Sequence, residues 1–241
     1  MAATTPDIQI PADLKPADGR FGAGPSKVRA EQLQAVVDAS PDVIGTSHRQ
    51  APVKFVVGSL RNGLAELLAL PDGYEIILGN GGTHACWDGL VSSFITQRSA
   101  HATFGEFSSK FAKGVAAAPF LDDPVLVEAE VGTHPTVAAI DGVDTYALTH
   151  NETSTGVMMP VRRPEGTSAA ADQLVAVDAT SAAGGLRVDL TECDVYYFSP
   201  QKALASDGGL WLAAVSPAAI ERIEARAAAS DRWVPPFVDL A

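Results

Sequence analysis

Lys202 closes the string Ser199-Pro200-Gln201-Lys202, which follows the apolar run Val195–Phe198. A lysine just past a buried strand must take its ammonium to solvent or to a partner. The partners that suit it are a phosphate, met as a point charge, or a carbonyl with which its amine condenses. Twenty-four residues earlier the run Leu174–Val177 ends in Asp178, followed by Ala179-Thr180-Ser181. A carboxylate there can cap a helix, bind a metal or pair with a cationic ligand. No second acidic residue follows within three positions, which weakens the metal reading.

Two further segments offer chemistry. After the run Tyr74–Leu78 comes Gly79-Asn80-Gly81-Gly82-Thr83-His84, then a helical pattern through Cys86, Leu90 and Phe94. Strand, glycine turn and helix N-terminus together aim unpaired N–H groups and the positive end of the helix dipole at one point, where a phosphate fits. His84 stands where a dinucleotide fingerprint needs its third glycine, and no Gly-Lys-Ser/Thr follows, so neither nucleotide motif is met. The run Thr145–Thr149 leads into His150-Asn151-Glu152-Thr153-Ser154-Thr155-Gly156, dense in side-chain donors and acceptors. Capping of the loop accounts for some of that density, and a ligand site accounts for more of it.

Each feature alone is ambiguous, but together they match one cofactor. Pyridoxal phosphate needs a lysine for its aldehyde, a carboxylate for its pyridine nitrogen, an anion cup for its phosphate and a side chain to stack on its ring.

The elements that position these residues are legible as short apolar runs: Tyr74–Leu78, His101–Phe104, Val125–Glu128, Thr145–Thr149, Leu174–Asp178, Val195–Ser199 and Leu210–Val215. Seven runs with helix- or loop-length connections predict an α/β fold built on a mostly parallel, mixed seven-stranded sheet covered by helices on both faces. In such sheets ligands gather at the carboxyl ends of strands. Phe55, Val56, Leu60, Leu64, Leu67 and Leu68 recur at helical spacing, predicting a helix over Val53–Leu70 closed by Pro71-Asp72-Gly73, and a last helix is expected over Pro217–Ala229. Residues 1–20, polar and spaced by Pro6, Pro11 and Pro16, read as an extended arm, with one large domain over 21–241.

The 241 residues carry 17 basic and 29 acidic side chains, so the net charge is 17 − 29 = −12. With Arg162-Arg163 the densest basic cluster, nucleic acid and anionic membrane are excluded as partners. The longest stretch without a charged residue, Gly208–Ile220, is about 13 residues, short of the roughly 20 that span a bilayer. Met1–Ile10 has neither the basic nor the apolar region of a secretory signal, and Cys86 and Cys193 sit among apolar neighbours, so a cytoplasmic protein with reduced thiols is expected.

Six segments carry a resemblance: Arg20-Phe21-Gly22-Ala23-Gly24-Pro25-Ser26-Lys27-Val28-Arg29, Ser47-His48-Arg49, Asn80-Gly81-Gly82-Thr83, the 150–156 loop, Val177-Asp178-Ala179-Thr180-Ser181 and Ser199-Pro200-Gln201-Lys202-Ala203-Leu204. Over essentially its whole length the chain resembles the phosphoserine aminotransferases of actinobacterial type, class V members of the fold-type I pyridoxal phosphate enzymes. The resemblance implies that Lys202 condenses with the cofactor and later shuttles the substrate Cα proton. It implies that Asp178 keeps the pyridine nitrogen protonated, that Thr153 hydrogen-bonds the phenolic oxygen, that Thr83 and His84 amides with Gln201 hold the phosphate, and that Phe107 lies against the ring. Arg49, with His48 beside it, falls where such enzymes bind the anionic substrate. No metal is implied.

The implied reaction passes an amino group between L-glutamate and 3-phosphohydroxypyruvate, giving phosphoserine and 2-oxoglutarate. 4-Phosphohydroxythreonine, a vitamin B6 precursor, is a further candidate substrate. Relatives of this kind form homodimers with active sites at the interface. They are roughly half as long again, and their later part supplies an Arg for the substrate carboxylate and an Asn-Thr pair for the neighbour's cofactor phosphate. The alternatives are another class V activity, such as alanine–glyoxylate transamination or cysteine desulfuration, a non-catalytic fragment of the enzyme, and, more distantly, a Rossmann-type dehydrogenase.

Overall fold

A computed structural model describes residues 8–16, 18–19, 22, 24–229 and 231–241. Much of the expected arm (1–7 and 17), together with Arg20, Phe21 and Ala23 of the opening motif, lies outside the described residues. Residues 8–16 are exposed around a single turn of 3-10 helix, Ala12–Leu14.

The chain then forms α1 (Ala30–Val43), α2 (Ala51–Leu67), β1 (Glu75–Asn80), α3 (Gly82–Ser93), β2 (Ser99–Thr103), α4 (Glu106–Ala116), β3 (Val125–Glu128) and β4 (Thr145–Thr149). A small hairpin follows, β5 (Asn151–Glu152) with β6 (Val157–Met158), and then β7 (Leu174–Asp178), β8 (Val195–Phe198), β9 (Leu210–Val215) and α5 (Pro217–Ala229). Seven strands form one sheet in the order β1-β9-β8-β7-β4-β2-β3. The five from β8 to β3 run parallel, and β9 alone opposes both its neighbours. The mostly parallel mixed sheet read from the sequence is therefore present.

β4, β7 and β8 are buried along their whole length, so they read as continuous apolar runs whose side chains nonetheless alternate between two cores. Tyr146, Leu148, Val175, Val177, Tyr196 and Phe198 point to one face, where Leu64 and Leu68 from the end of α2 meet Val137, Met159, Val161 and Leu190 of the connecting segments. Ala147, Leu174, Ala176, Val195 and Tyr197 point to the other, against Cys86 and Leu90 of α3, Phe111 and Val115 of α4 and Ala219 and Ile223 of α5. Helices thus lie on both faces, but three stand on one and only the end of α2 on the other.

α2 stops at Leu67, three residues short of the sequence expectation. Ala69 adopts a left-handed φ of 47°, its N–H bonds the Glu66 carbonyl, and the Leu70 N–H reaches the Ala65 carbonyl at 2.9 Å. That double closure ends the helix before Pro71 can. α1 carries no buried residue and has Pro41 in its last turn; its apolar Leu33, Val36 and Val37, at helical spacing, are exposed. In α4, Ser108, Phe111, Ala112 and Val115 are buried at helical spacing, a pattern partly hidden by the polar first turn and Gly114.

Candidate active site

β7 and β8 lie side by side in the middle of the sheet, with Asp178 paired in register to Thr149 on one side and Tyr197 on the other. Because these strands are parallel, Thr149, Asp178 and the Ser199–Lys202 loop all emerge at one edge. The antiparallel β9 starts at that edge, so Gly209 joins them, and β1 ends there in Gly81. A cavity of about 310 Å³ opens at this edge.

Thr83, His84, Phe107, Thr153, Asp178, Gln201 and Lys202, each singled out in the sequence, all line that one cavity. Gly81 has φ 97° and begins α3, leaving the first-turn N–H groups of Gly82, Thr83 and His84 without carbonyl partners four residues back. The Thr83 hydroxyl shares a 2.8 Å hydrogen bond with that of Thr180. Asp178 accepts the Thr180 N–H at 2.9 Å. Burial raises the Asp178 carboxyl above the usual aspartate range, hydrogen bonding from Thr180 opposes the rise, and the charge of Glu152 adds to it. The site therefore holds a buried carboxylate suited to a cationic N–H.

The Gln201 carboxamide oxygen is buried without a hydrogen-bond partner among the described residues, as expected where a polar ligand completes the wall. Gly24 lies against the side chain of Lys202, where a Cβ would fall 2.7 Å from Nζ, and the Ser26 N–H donates to the Gln201 carbonyl at 2.7 Å. The Gly-Pro-Ser segment therefore seats the lysine loop. Across the cavity the Thr153 hydroxyl donates to Ser181 Oγ at 2.8 Å, and Asn151 Nδ2 donates to the same oxygen at 2.9 Å.

His48 and Arg49 do not join this cavity. They sit in the exposed turn between α1 and α2 and are not among the residues that line it. Sequence reasoning passed over Trp87, which lines the cavity one helical turn after His84, meets its ring edge-on at 4.6 Å and donates to Tyr197 Oη at 3.0 Å. An aromatic three residues past the glycine-turn histidine was the available signal. Both cysteines are buried and unpaired, and burial pushes each thiol up. His101 is a core residue, lowered by burial to about 3 and bonded to Ser99 Oγ.

Residues 126–227 match the family model for class V aminotransferases. A putative phosphoserine aminotransferase of Mycolicibacterium vanbaalenii is 60% identical over 234 residues, 97% of this chain and 62% of that protein. A phosphoserine aminotransferase of Nocardioides sp. is 60% identical over 236 residues, 98% of this chain and 63% of that protein. The crystal structure of a phosphoserine aminotransferase from Cytophaga hutchinsonii superposes with a TM-score of 0.80 at 27% identity, covering 90% of this chain and 61% of that one. The chain spans about three fifths of the length of the curated relatives it matches. By sequence over nearly its whole length, and by fold, it resembles the phosphoserine aminotransferases, and its second half matches the class V aminotransferase family.

Proposed function

We propose that this chain is the cofactor-binding part of a pyridoxal phosphate-dependent phosphoserine aminotransferase, which exchanges an amino group between L-glutamate and 3-phosphohydroxypyruvate in serine biosynthesis. The observation that carries the reading is the meeting of Lys202, Asp178 and the α3 N-terminus around one cavity. Pyridoxal phosphate, when bound, supplies an aldehyde that accepts amines and a ring that draws electrons from the adjoining C–H bond.

The residues divide the remaining work. First-turn N–H groups of α3, with the helix dipole and the Gln201 side chain, bind the phosphate. The Asp178 carboxylate holds the proton on the ring nitrogen, and burial makes that pairing stronger than it would be in water. The Thr153 hydroxyl orients the ring from its phenolic side, and Phe107 covers a face and excludes water. Lys202 Nζ takes and returns the proton at the amino-acid Cα.

The exposed apolar side chains Leu33, Val36 and Val37 of α1 and Phe55, Val56 and Leu60 of α2 support a homodimer. In that dimer the exposed Arg49 and His48 reach the partner's cavity and bind the anionic substrate. Arg49 does not distinguish 3-phosphohydroxypyruvate from 4-phosphohydroxythreonine, so the second remains a candidate substrate. The buried thiols suit a cytoplasmic setting and speak against cysteine desulfuration, which needs an accessible thiolate. A second reading is that this chain is a non-catalytic fragment of the enzyme, and turnover separates the two.

Titration with pyridoxal phosphate tests the proposal. A new visible absorbance is expected, lost in Lys202→Ala, followed by amino transfer from glutamate to phosphorylated rather than unphosphorylated keto acids. An unchanged spectrum in Lys202→Ala overturns the role of the lysine. Cofactor binding with no transfer selects the second reading.

A further inference from the structure

Glu152 is fully buried at the end of β5, yet its neighbour Thr153 lines the cavity. Its carboxylate accepts from the backbone N–H of Phe107 at 3.1 Å and of Ser108 at 2.9 Å, and from Ser108 Oγ at 3.0 Å. It also accepts from Ser154 N at 3.2 Å and Ser154 Oγ at 2.7 Å. The Phe107 and Ser108 N–H groups belong to the first turn of α4, whose N-cap, Gly105, has no side chain to offer them. One carboxylate from another loop therefore caps the helix.

Burial pushes the Glu152 carboxyl up, but the donors from Ser108 and Ser154 together hold it below the ordinary glutamate value, so it is a well-bonded anion. Gly105 makes this possible by close approach: a Cβ there would lie 2.5 Å from Glu152 Cδ and 2.6 Å from Ser154 Oγ. A local Ser cap in the place of Gly105, with no glutamate beside it, would serve such a helix without a buried charge. What the long-range cap adds is a tie between two walls of the cavity, the α4 turn bearing Phe107 and the loop bearing Thr153.

We propose that Glu152 is a positioning residue, which fixes the Phe107 ring over the cofactor by holding the Phe107 amide against the Thr153 loop. The inference rests on the pyridoxal phosphate reading of the cavity. Glu152→Gln keeps the shape, but loses the charge and turns an NH2 towards N–H donors. Binding of pyridoxal phosphate, followed by absorbance and induced circular dichroism, is expected to weaken about five- to tenfold, the worth of one well-placed aromatic contact, with an altered dichroic band. In a Phe107→Ala background the same substitution is expected to change affinity less than about twofold, since residues acting as one unit are non-additive. In the cofactor-free protein, hydrogen exchange at the Phe107 and Ser108 amides is expected to quicken.

Full additivity of the two substitutions, or unchanged exchange at these amides, overturns the proposal. If Glu152→Gln does not fold, Ser154→Ala removes one donor from the same carboxylate and is expected to show a smaller non-additivity with Phe107→Ala. Absence of pyridoxal phosphate binding by the unaltered chain overturns the cofactor reading instead, a separate result.

Discussion

Asp178 is buried at the cavity, and burial is the largest influence on its carboxyl, which separates stability from function at one atom. Its folded-state pKa is raised, so the cofactor-free fold binds the proton more tightly than the unfolded chain does. Stability is then lost as pH rises from the ordinary aspartate value through the raised one. Asp178→Asn is expected to leave the cofactor-free protein at least as heat-stable at pH 7 to 8, while pyridoxal phosphate affinity falls by about tenfold or more, one lost charge-assisted hydrogen bond. A clear drop in the melting temperature of the free protein would contradict this. Glu152 has the opposite sign. Its lowered pKa contributes stability above the ordinary glutamate value that is lost as pH falls, so Glu152→Gln is expected to flatten the acid limb of the stability profile. Gly24→Ala tests the seat of Lys202: the added methyl meets the lysine side chain and is strained at φ 129°, and slower reaction of Lys202 with pyridoxal phosphate is the expected readout.

At the scale of elements, α4 is held in place by two different means. Its N-terminus is capped by Glu152, and its buried stripe is anchored by Phe111, stacked on Trp87 at 5.6 Å and edge-on to His101 at 5.0 Å. Phe111→Ala is expected to cost about 3–5 kcal/mol, a drop in melting temperature of several degrees by calorimetry. Gly105→Ala is expected to displace the α4 turn and so to reproduce the cofactor defect of Glu152→Gln.

These elements also show what the sequence makes legible. Strands β4, β7 and β9 coincide with their apolar runs, because a strand buried on both faces writes itself as an unbroken run with a polar residue such as Asp178 at its end, and the half-exposed edge strand β3 coincides with its run as well. α1 is harder to read because its apolar stripe is short, Leu33 with Val36 and Val37, and Pro41 interrupts the pattern in the last turn. The role of Glu152 was hidden for another reason. Its partners lie some 45 residues away, and no local pattern announces a cap supplied from a distance.

For the whole molecule, the distribution of apolar surface is uneven. Phe55 is 75% exposed and Val37 63%, on the two helices that enclose the His48-Arg49 turn. If that face is where a second copy sits, Phe55→Asp with Val37→Asp is expected to halve the mass seen by light scattering and to reduce affinity for anionic substrate more than for cofactor. A monomeric unaltered chain would remove the dimer reading.

β1, the first strand in the sequence, is an edge strand of the sheet and pairs with β9, the last strand of the described residues. Its six backbone pairs, from Glu75↔Val215 to Asn80↔Leu210, close only when residues 210–215 arrive. During synthesis the glycine turn and α3 must therefore wait for nearly the whole described chain before they face Asp178 and Lys202. The cavity thus depends on the pairing most distant in sequence, and a nascent chain stopped before β9 carries every cavity residue up to Lys202 without the strand that joins the glycine turn to them.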